Sequence, residues 1–282
     1  MPVSVFDHNG RVVRGIPASD FNVFVDGVQV EKFSIDVDRE PLDLVLVLDM
    51  SPSTAVQIGI IKGIASKVVE NLRPNDRVMV VGFNNEMKVA TGLTSDRPTI
   101  AKAVKKLEVD NGTSLYNAVS TLFEKHLAAV PGCPTVFLLT DGVDTTSRKA
   151  TYQSSLVAAE KACAVIIPIY VNTFETQDKG AADLQARLGV VFPAKPIPEA
   201  EYKIGRYYLT DLILLSGGRA IQVGDSQVHG IRSFDGIADE LRSRYYIAFE
   251  RPSTGPSGTH HSVTVRVNRS GLTVLSKGSY ID

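Results

Sequence analysis

Five oxygen-bearing side chains occupy positions from which they could share one metal ion. Asp49-Met50-Ser51-Pro52-Ser53 reads Asp-x-Ser-x-Ser, Thr113 stands in Asn111-Gly112-Thr113-Ser114, and Asp141 is followed by Gly142. Two carboxylates and three hydroxyls make an all-oxygen set, which suits a hard divalent cation, Mg2+ or Mn2+, in octahedral geometry. Serine and threonine hydroxyls are weak neutral ligands. A site that uses them directly, with its aspartates partly acting through water, leaves the metal electrophilic and one position open. That position can take a carboxylate from another molecule.

Strand ends and loop–helix junctions must bring these residues together, and the chain around them supplies both. Leu42–Leu48 is almost continuously apolar, as a strand covered on both faces is. From about Thr54 to Leu72, Val56, Ile60, Ile61, Ile64, Val68, Val69 and Leu72 repeat at a helical period, and Pro74 closes the stretch. Strands at Arg77–Phe83, Glu86–Thr91, Thr135–Thr140, Val165–Val171 and Arg219–Val223 follow. Helices are expected between and after them at about Arg97–Leu107, Ser114–Ala129, Tyr152–Cys163, Tyr207–Ser216 and Phe234–Arg242. This alternation predicts an α/β fold of Rossmann-like, doubly wound type, with a mainly parallel sheet flanked by helices. Asp49 and Asp141 then lie at the carboxyl ends of strands, where such sheets form a binding crevice at the point where strand order reverses.

The two ends of the chain read differently. Val3–Phe6 and Arg11–Val13 flank an Asn9-Gly10 turn, and Phe21–Val25 and Val28–Phe33 flank Asp26-Gly27, both strong hairpin signals. After the last helix come strands at Arg244–Arg251, Ser262–Asn268 and Leu272–Leu275, with a Pro/Gly/Ser-rich loop at Pro252–Gly258. A lone hairpin is not stable in water. Residues 1–40 and 244–282 are therefore expected to pack together as one small antiparallel β module beside an α/β domain of residues 41–243. Within that domain Asn172–Arg206 breaks the rhythm, with Pro193, Pro196 and Pro198 and only a weak helical stretch near Ala182–Leu188. Loops of such length are functional or mobile, and this one leaves a strand end at the rim of the proposed metal site.

Composition narrows the function classes. The 282 residues are 44% apolar and 22% charged, which excludes a disordered chain, a collagen-like fibre and a coiled coil. Thirty Lys+Arg against 31 Asp+Glu leave a net charge of −1, so nothing global argues for a nucleic-acid partner. No apolar run approaches the ~20 residues of a membrane helix, and no membrane insertion is expected. The first residues lack the features of a signal peptide, which leaves a cytoplasmic protein or the mature part of a longer, exported precursor. Phosphate-binding, dinucleotide, nucleophile-elbow and zinc-protease motifs are missing, and an enzyme is not expected. A phosphotransferase of the haloacid dehalogenase type needs a second Asp two residues after the first, where this chain has Ser51. His260 and His261 are expected to be exposed strand residues rather than ligands, with no accompanying cluster.

The ordered set Asp49, Ser51, Ser53, Thr113 and Asp141 resembles the metal-ion-dependent adhesion site of von Willebrand factor A (VWA) domains, and the resemblance spans about Pro41–Arg242. It implies a module that holds Mg2+ or Mn2+ on these five residues and binds a Glu or Asp of a protein partner. It also implies a last helix able to shift with ligand, here running into the strand Arg244–Arg251. Asp20-Phe21, Val25-Asp26-Gly27, Gly217-Gly218-Arg219 and Glu240-Leu241-Arg242 with Tyr245 are similar to bacterial VWA-related proteins of the Acidobacteria type. Other members of the wider family work as cytoplasmic assembly subunits beside ATPases, the alternative reading. A metal-dependent hydrolase is the remaining one. In the family's sheet order Cys133 and Cys163 precede adjacent strands, at the edge opposite the metal. Two buried free thiols are the expectation, with a disulfide as the alternative in an oxidising compartment.

Overall fold

A computed structural model describes residues 1–37, 41–128, 130, 132–175, 196–222, 237–250 and 258–281. The expected helical stretch near Ala182–Leu188, Pro193, and most of the Pro252–Gly258 loop lie outside those residues.

β5 (Asp43–Asp49) is the centre of the fold, and its alternation explains why. Leu44, Leu46 and Leu48 point into one buried cluster, while Val45 and Val47 point into another on the opposite face. A strand that is apolar on both sides must be covered on both sides. The first face carries α1 (Ile58–Glu70) and α2 (Arg97–Lys106), through Ile61, Ile64, Val68, Ile100 and Val104. The second carries α3 (Leu115–Thr121), α4 (Tyr152–Lys161) and α5 (Glu199–Ser216), through Leu115, Val119, Leu156, Tyr208 and Leu212.

β5 pairs in parallel with β6 (Arg77–Phe83) on one side and with β8 (Thr135–Thr140) on the other. β9 (Val165–Tyr170) and β10 (Ile221–Gln222) extend the sheet beyond β8, and β7 (Met87–Thr94) closes the far edge antiparallel to β6. The order is thus β10-β9-β8-β5-β6-β7. The chain leaves β5 toward β6 and later returns to β8 on its other side, so the strand order reverses between β5 and β8. This is the mixed α/β architecture expected from the sequence, with a mainly parallel sheet between helices.

Several elements differ from expectation for local reasons. The first helical stretch opens with a 3-10 segment, Pro52–Gln57, before α1 begins at Ile58. The stretch expected at Ser114–Ala129 turns after α3 into a π-helical segment, Leu122–Leu127. α5 starts at Glu199, well ahead of the expected Tyr207. The prolines read as loop, but Pro198 is the residue before the first helical turn, where its missing N–H costs nothing. Glu199 and Glu201 complement the helix dipole there.

The chain ends form two further antiparallel sheets, each drawing strands from both termini. One has β1 (Pro2–Phe6) between β13 (Thr273–Ser276) and β11 (Tyr245–Phe249), with β4 (Phe33–Val37) outside β11. The other runs β14-β12-β2-β3, with β2 (Phe21–Val25), β3 (Val28–Gln29), β12 (His260–Val267) and β14 (Ser279–Ile281). Val3, Val5, Val23, Tyr245, Ile247, Val263 and Val265 bury their side chains between them. Asp26 and Gly27, at φ 50° and 80°, make the tight β2–β3 turn that Asp-Gly predicts. Beyond the Asn9-Gly10 turn, Arg11–Val13 forms only a single bridge, Phe6 to Val12, rather than a strand. His261 is buried, against expectation. Its Nδ1 lies 2.7 Å from Asp26 Oδ2, and its ring stacks on Tyr280.

These sheets meet the α/β core at the amino-terminal ends of the central strands. The buried Arg244 guanidinium donates to Thr135 Oγ1 at 2.7 Å and to Ser4 Oγ at 3.3 Å. Lys277 Nζ caps the end of α4 on the carbonyls of Glu160 and Ala162, and His260 Nε2 lies 2.6 Å from Glu160 Oε1. At the end of α5, Gly217 adopts φ 72°, and a Cβ there would stand 2.5 Å from the Lys277 amide nitrogen.

Cys133 and Cys163 form a disulfide, which corrects the expectation of two free thiols. Thr135 pairs with Val165 in the β8–β9 ladder, so cysteines two residues ahead of each stand side by side, with Cα atoms 4.8 Å apart. The bond spans a sequence separation of 30. On the loop-entropy account, replacing both cysteines with alanine should lower stability by about 3–4 kcal/mol. Thermal unfolding with and without dithiothreitol checks this: the wild type should lose several degrees under reductant and the double variant none.

Candidate metal centre

The site begins with two strand ends. Asp49 is the last residue of β5 and Asp141 follows the last residue of β8, so the two carboxylates flank the point where strand order reverses. Both are fully buried. The turn after β5 is pinned from outside and inside. Met50 N donates to Phe83 O at 2.7 Å, and Asp110 N donates to Met50 O at 3.0 Å. Ser51 N donates to Asp49 Oδ1 at 3.0 Å, while Thr54 Oγ1 bonds both the Asp49 and Ser51 carbonyls.

That turn aims the two serines across the gap. Ser51 Oγ lies 3.1 Å from Ser53 Oγ, and Ser53 Oγ donates to Asp141 Oδ2 at 2.9 Å. The hydroxyls thus bridge the strand ends. Thr113 joins the group through its backbone. Its N–H donates to Thr145 Oγ1 at 3.2 Å, and its carbonyl accepts from the N–H groups of Thr145 and Thr146. Gly112, at φ 77°, lets that loop close, since a Cβ there would stand 3.0 Å from Thr146 Oγ1. Of the five residues singled out by sequence, Asp49, Ser51, Ser53 and Asp141 are tied by hydrogen bonds into one chain. Thr113, also buried, is held against the Asp141 loop without a direct bond to either carboxylate.

Three participants were not foreseen. Thr140 Oγ1 donates to Asp49 Oδ2 at 2.6 Å. Thr173 Oγ1 donates to Asp141 Oδ2 at 2.6 Å, and Tyr202 OH lies 3.0 Å from Thr173 Oγ1. Thr140 and Thr173 are hydroxyls at strand ends, the same criterion that picked out Ser51 and Ser53. Tyr202 carries no such signal, because it lies in the part of α5 that the sequence reads as loop.

The electrostatics are those of two buried like charges. Burial, and then the neighbouring Asp141 charge, push the Asp49 carboxyl up to about 7. Burial likewise raises Asp141. Among the described residues neither carboxylate has an ion pair with Lys, Arg or His. Two buried like charges can be relieved by protons or by a cation. Among the described residues no group of three or more His, Cys, Asp or Glu side chains gathers anywhere, so a cation here would draw on hydroxyls beside its two carboxylates. This donor set fits a hard divalent ion and suits a thiophilic one poorly.

The von Willebrand factor type A domain family matches residues 44–143, a stretch that includes all five candidate ligands. No curated protein sequence matches the chain. Among solved structures, the conserved hypothetical protein BatB from Bacteroides thetaiotaomicron is 16% identical, with a TM-score of 0.52 over 72% of this chain and 100% of its own. The von Willebrand factor type A protein from Catenulispora acidiphila is 13% identical, with a TM-score of 0.51 over 98% of this chain and 72% of its own. Proximal thread matrix protein 1 from the mussel byssus, in a form with a zinc-occupied MIDAS motif, is 14% identical with a TM-score of 0.55. That match covers 77% of this chain and 50% of the mussel protein. At these identities the likeness establishes the fold.

The raised Asp49 carboxyl sets a pH dependence. The folded state holds a proton that the unfolded chain, at the ordinary value of 3.8, gives up. Stability from this group is therefore full below about pH 4 and lost as pH rises through about 7. In metal-free solution the thermal midpoint of the wild type should fall relative to that of Asp49→Asn between pH 5 and pH 8. Parallel curves for the two proteins would contradict this.

Proposed function

We propose, on the premise of the von Willebrand A fold of its core, that this chain is a metal-dependent protein-binding module. Mg2+ or Mn2+ is held by Asp49, Ser51, Ser53, Thr113 and Asp141, and a Glu or Asp carboxylate of a protein partner completes its coordination. The observation that carries this reading is the pair of fully buried carboxylates joined by the Ser51–Ser53 hydroxyl bridge, with no cationic side chain paired to either among the described residues. A divalent ion supplies the missing positive charge and an acceptor for an incoming anionic side chain. The chain's own residues do the rest: Thr54 and the Asp49 carboxylate fix the serine turn, and Thr140 orients Asp49. The zinc-occupied motif in the mussel protein supports the view that a scaffold of this shape can hold a divalent ion.

In this reading residues 41–243 are the binding unit, and residues 1–40 with 244–282 form a β module attached at the opposite end. The narrower kinship with bacterial VWA-related proteins belongs to the same proposal. Disulfides persist in oxidising compartments, so the Cys133–Cys163 bond supports an extracytoplasmic setting over a cytoplasmic assembly subunit.

Thermal unfolding of the wild type and of Asp141→Ala, in EDTA and in Mg2+ or Mn2+, tests the metal. A ligand at 100 times its dissociation constant stabilises the fold by about 2.7 kcal/mol. The wild type should gain several degrees with the cation and the variant none. Equal midpoints in EDTA and in saturating cation would overturn the reading.

A further inference from the structure

The Asp141 carboxylate is held from three directions, and one of them leads away from the metal centre. Ser53 Oγ and Thr173 Oγ1 both donate to Oδ2, at 2.9 and 2.6 Å, and Val143 N donates to Oδ1 at 3.0 Å. Ser53 and Val143 belong to the loops of the site itself. Thr173 comes from the segment after β9, on the far side of β8 from Asp49. Its hydroxyl has one proton. With that proton given to an ionised carboxylate, which can only accept, the 3.0 Å contact to Tyr202 must be donated by the tyrosine. With Asp141 ionised, as a cation ligand is, the chain runs from Tyr202 OH to Thr173 Oγ1 to Asp141 Oδ2. Each donation polarises the next.

Both side chains are fully buried, so water does not compete for these bonds. The tyrosine is also anchored. One turn further along α5, Gly205 packs directly on the backbone of Gly142, where a Cβ would stand 2.6 Å from the carbonyl carbon. Phe174 stacks edge-on against the Tyr202 ring at 5.3 Å. Neither Thr173 nor Tyr202 has a part in the five-residue motif.

We propose that Thr173 and Tyr202 are positioning residues of the metal centre: Tyr202 holds the Thr173 hydroxyl, and Thr173 fixes the Asp141 carboxylate in the orientation that serves the cation. This rests on the metal-binding reading above. Without Thr173 the carboxylate keeps its ligand chemistry and its Ser53 and Val143 donors but loses the donor on the side away from Asp49.

Mn2+ affinity, read from the paramagnetic resonance signal of the unbound ion, tests the proposal on the whole chain. Thr173→Val should bind about tenfold more weakly, the equivalent of one hydrogen bond to a charged group. Tyr202→Phe should lose about threefold, because it weakens the same bond without removing it. Thr173→Ser keeps the hydroxyl and should restore affinity to near the wild-type value. In the Thr173→Val background Tyr202→Phe should add nothing, since its path to the metal is already cut. A role in packing alone would give additive losses and no rescue by serine, and either result overturns the proposal. Wild-type affinity in Thr173→Val and Tyr202→Phe overturns it while leaving the metal site standing. A wild type that binds no Mn2+ overturns the metal reading and this inference with it.

Discussion

Two carboxylates of like charge, both fully buried, sit at the ends of adjacent strands, and the rest of the site is organised around that cost. An ionised carboxylate stripped of water is expensive unless donors or a cation replace its solvent. The chain supplies the donors first. Ser51 N and Thr140 serve Asp49, while Ser53, Thr173 and Val143 N serve Asp141. These bonds offset part of the penalty, yet burial and the Asp141 charge still raise the Asp49 carboxyl. A preorganised negative site of this kind has hydrogen bonds already in place before any ion arrives.

The opposite end of the sheet does different work. There the chain closes on itself with a disulfide, a buried guanidinium and a lysine capping the end of α4. The buried Arg242–Asp76 ion pair adds a further clasp between the last helix of the core and the turn before β6. The disulfide and the polar ties from the terminal sheets to the core thus gather around the strand starts, away from Asp49 and Asp141.

Much of this was legible in the residues. The doubly apolar Leu42–Leu48 run fixed the central strand, and helix–strand alternation fixed the layers around it. The ordered aspartates and hydroxyls named residues that the structure gathers at one end of the sheet, because strand ends in such sheets converge on one crevice. What the sequence hid had physical causes. Pro198 reads as a breaker, yet it sits where a helix tolerates it, so the first turns of α5 and Tyr202 with them were missed. The disulfide depends on strand order, which no local pattern reports. His261 looked like a surface residue beside His260, but alternation along β12 sends its ring inward onto Tyr280.

α5 touches backbone at two glycines: Gly205 lies on Gly142 beside Asp141, and Gly217, its cap, lies on Ser276 and Lys277 at the terminal sheet. Neither contact leaves room for a Cβ. The helix between them therefore works as a ruler whose length cannot change. One residue inserted or deleted within it would turn everything beyond by about 100° and shift it by about 1.5 Å. One of the two glycines would then face the wrong way. Substitutions along the outer face of this helix are open to drift, while insertions and deletions are closed to it.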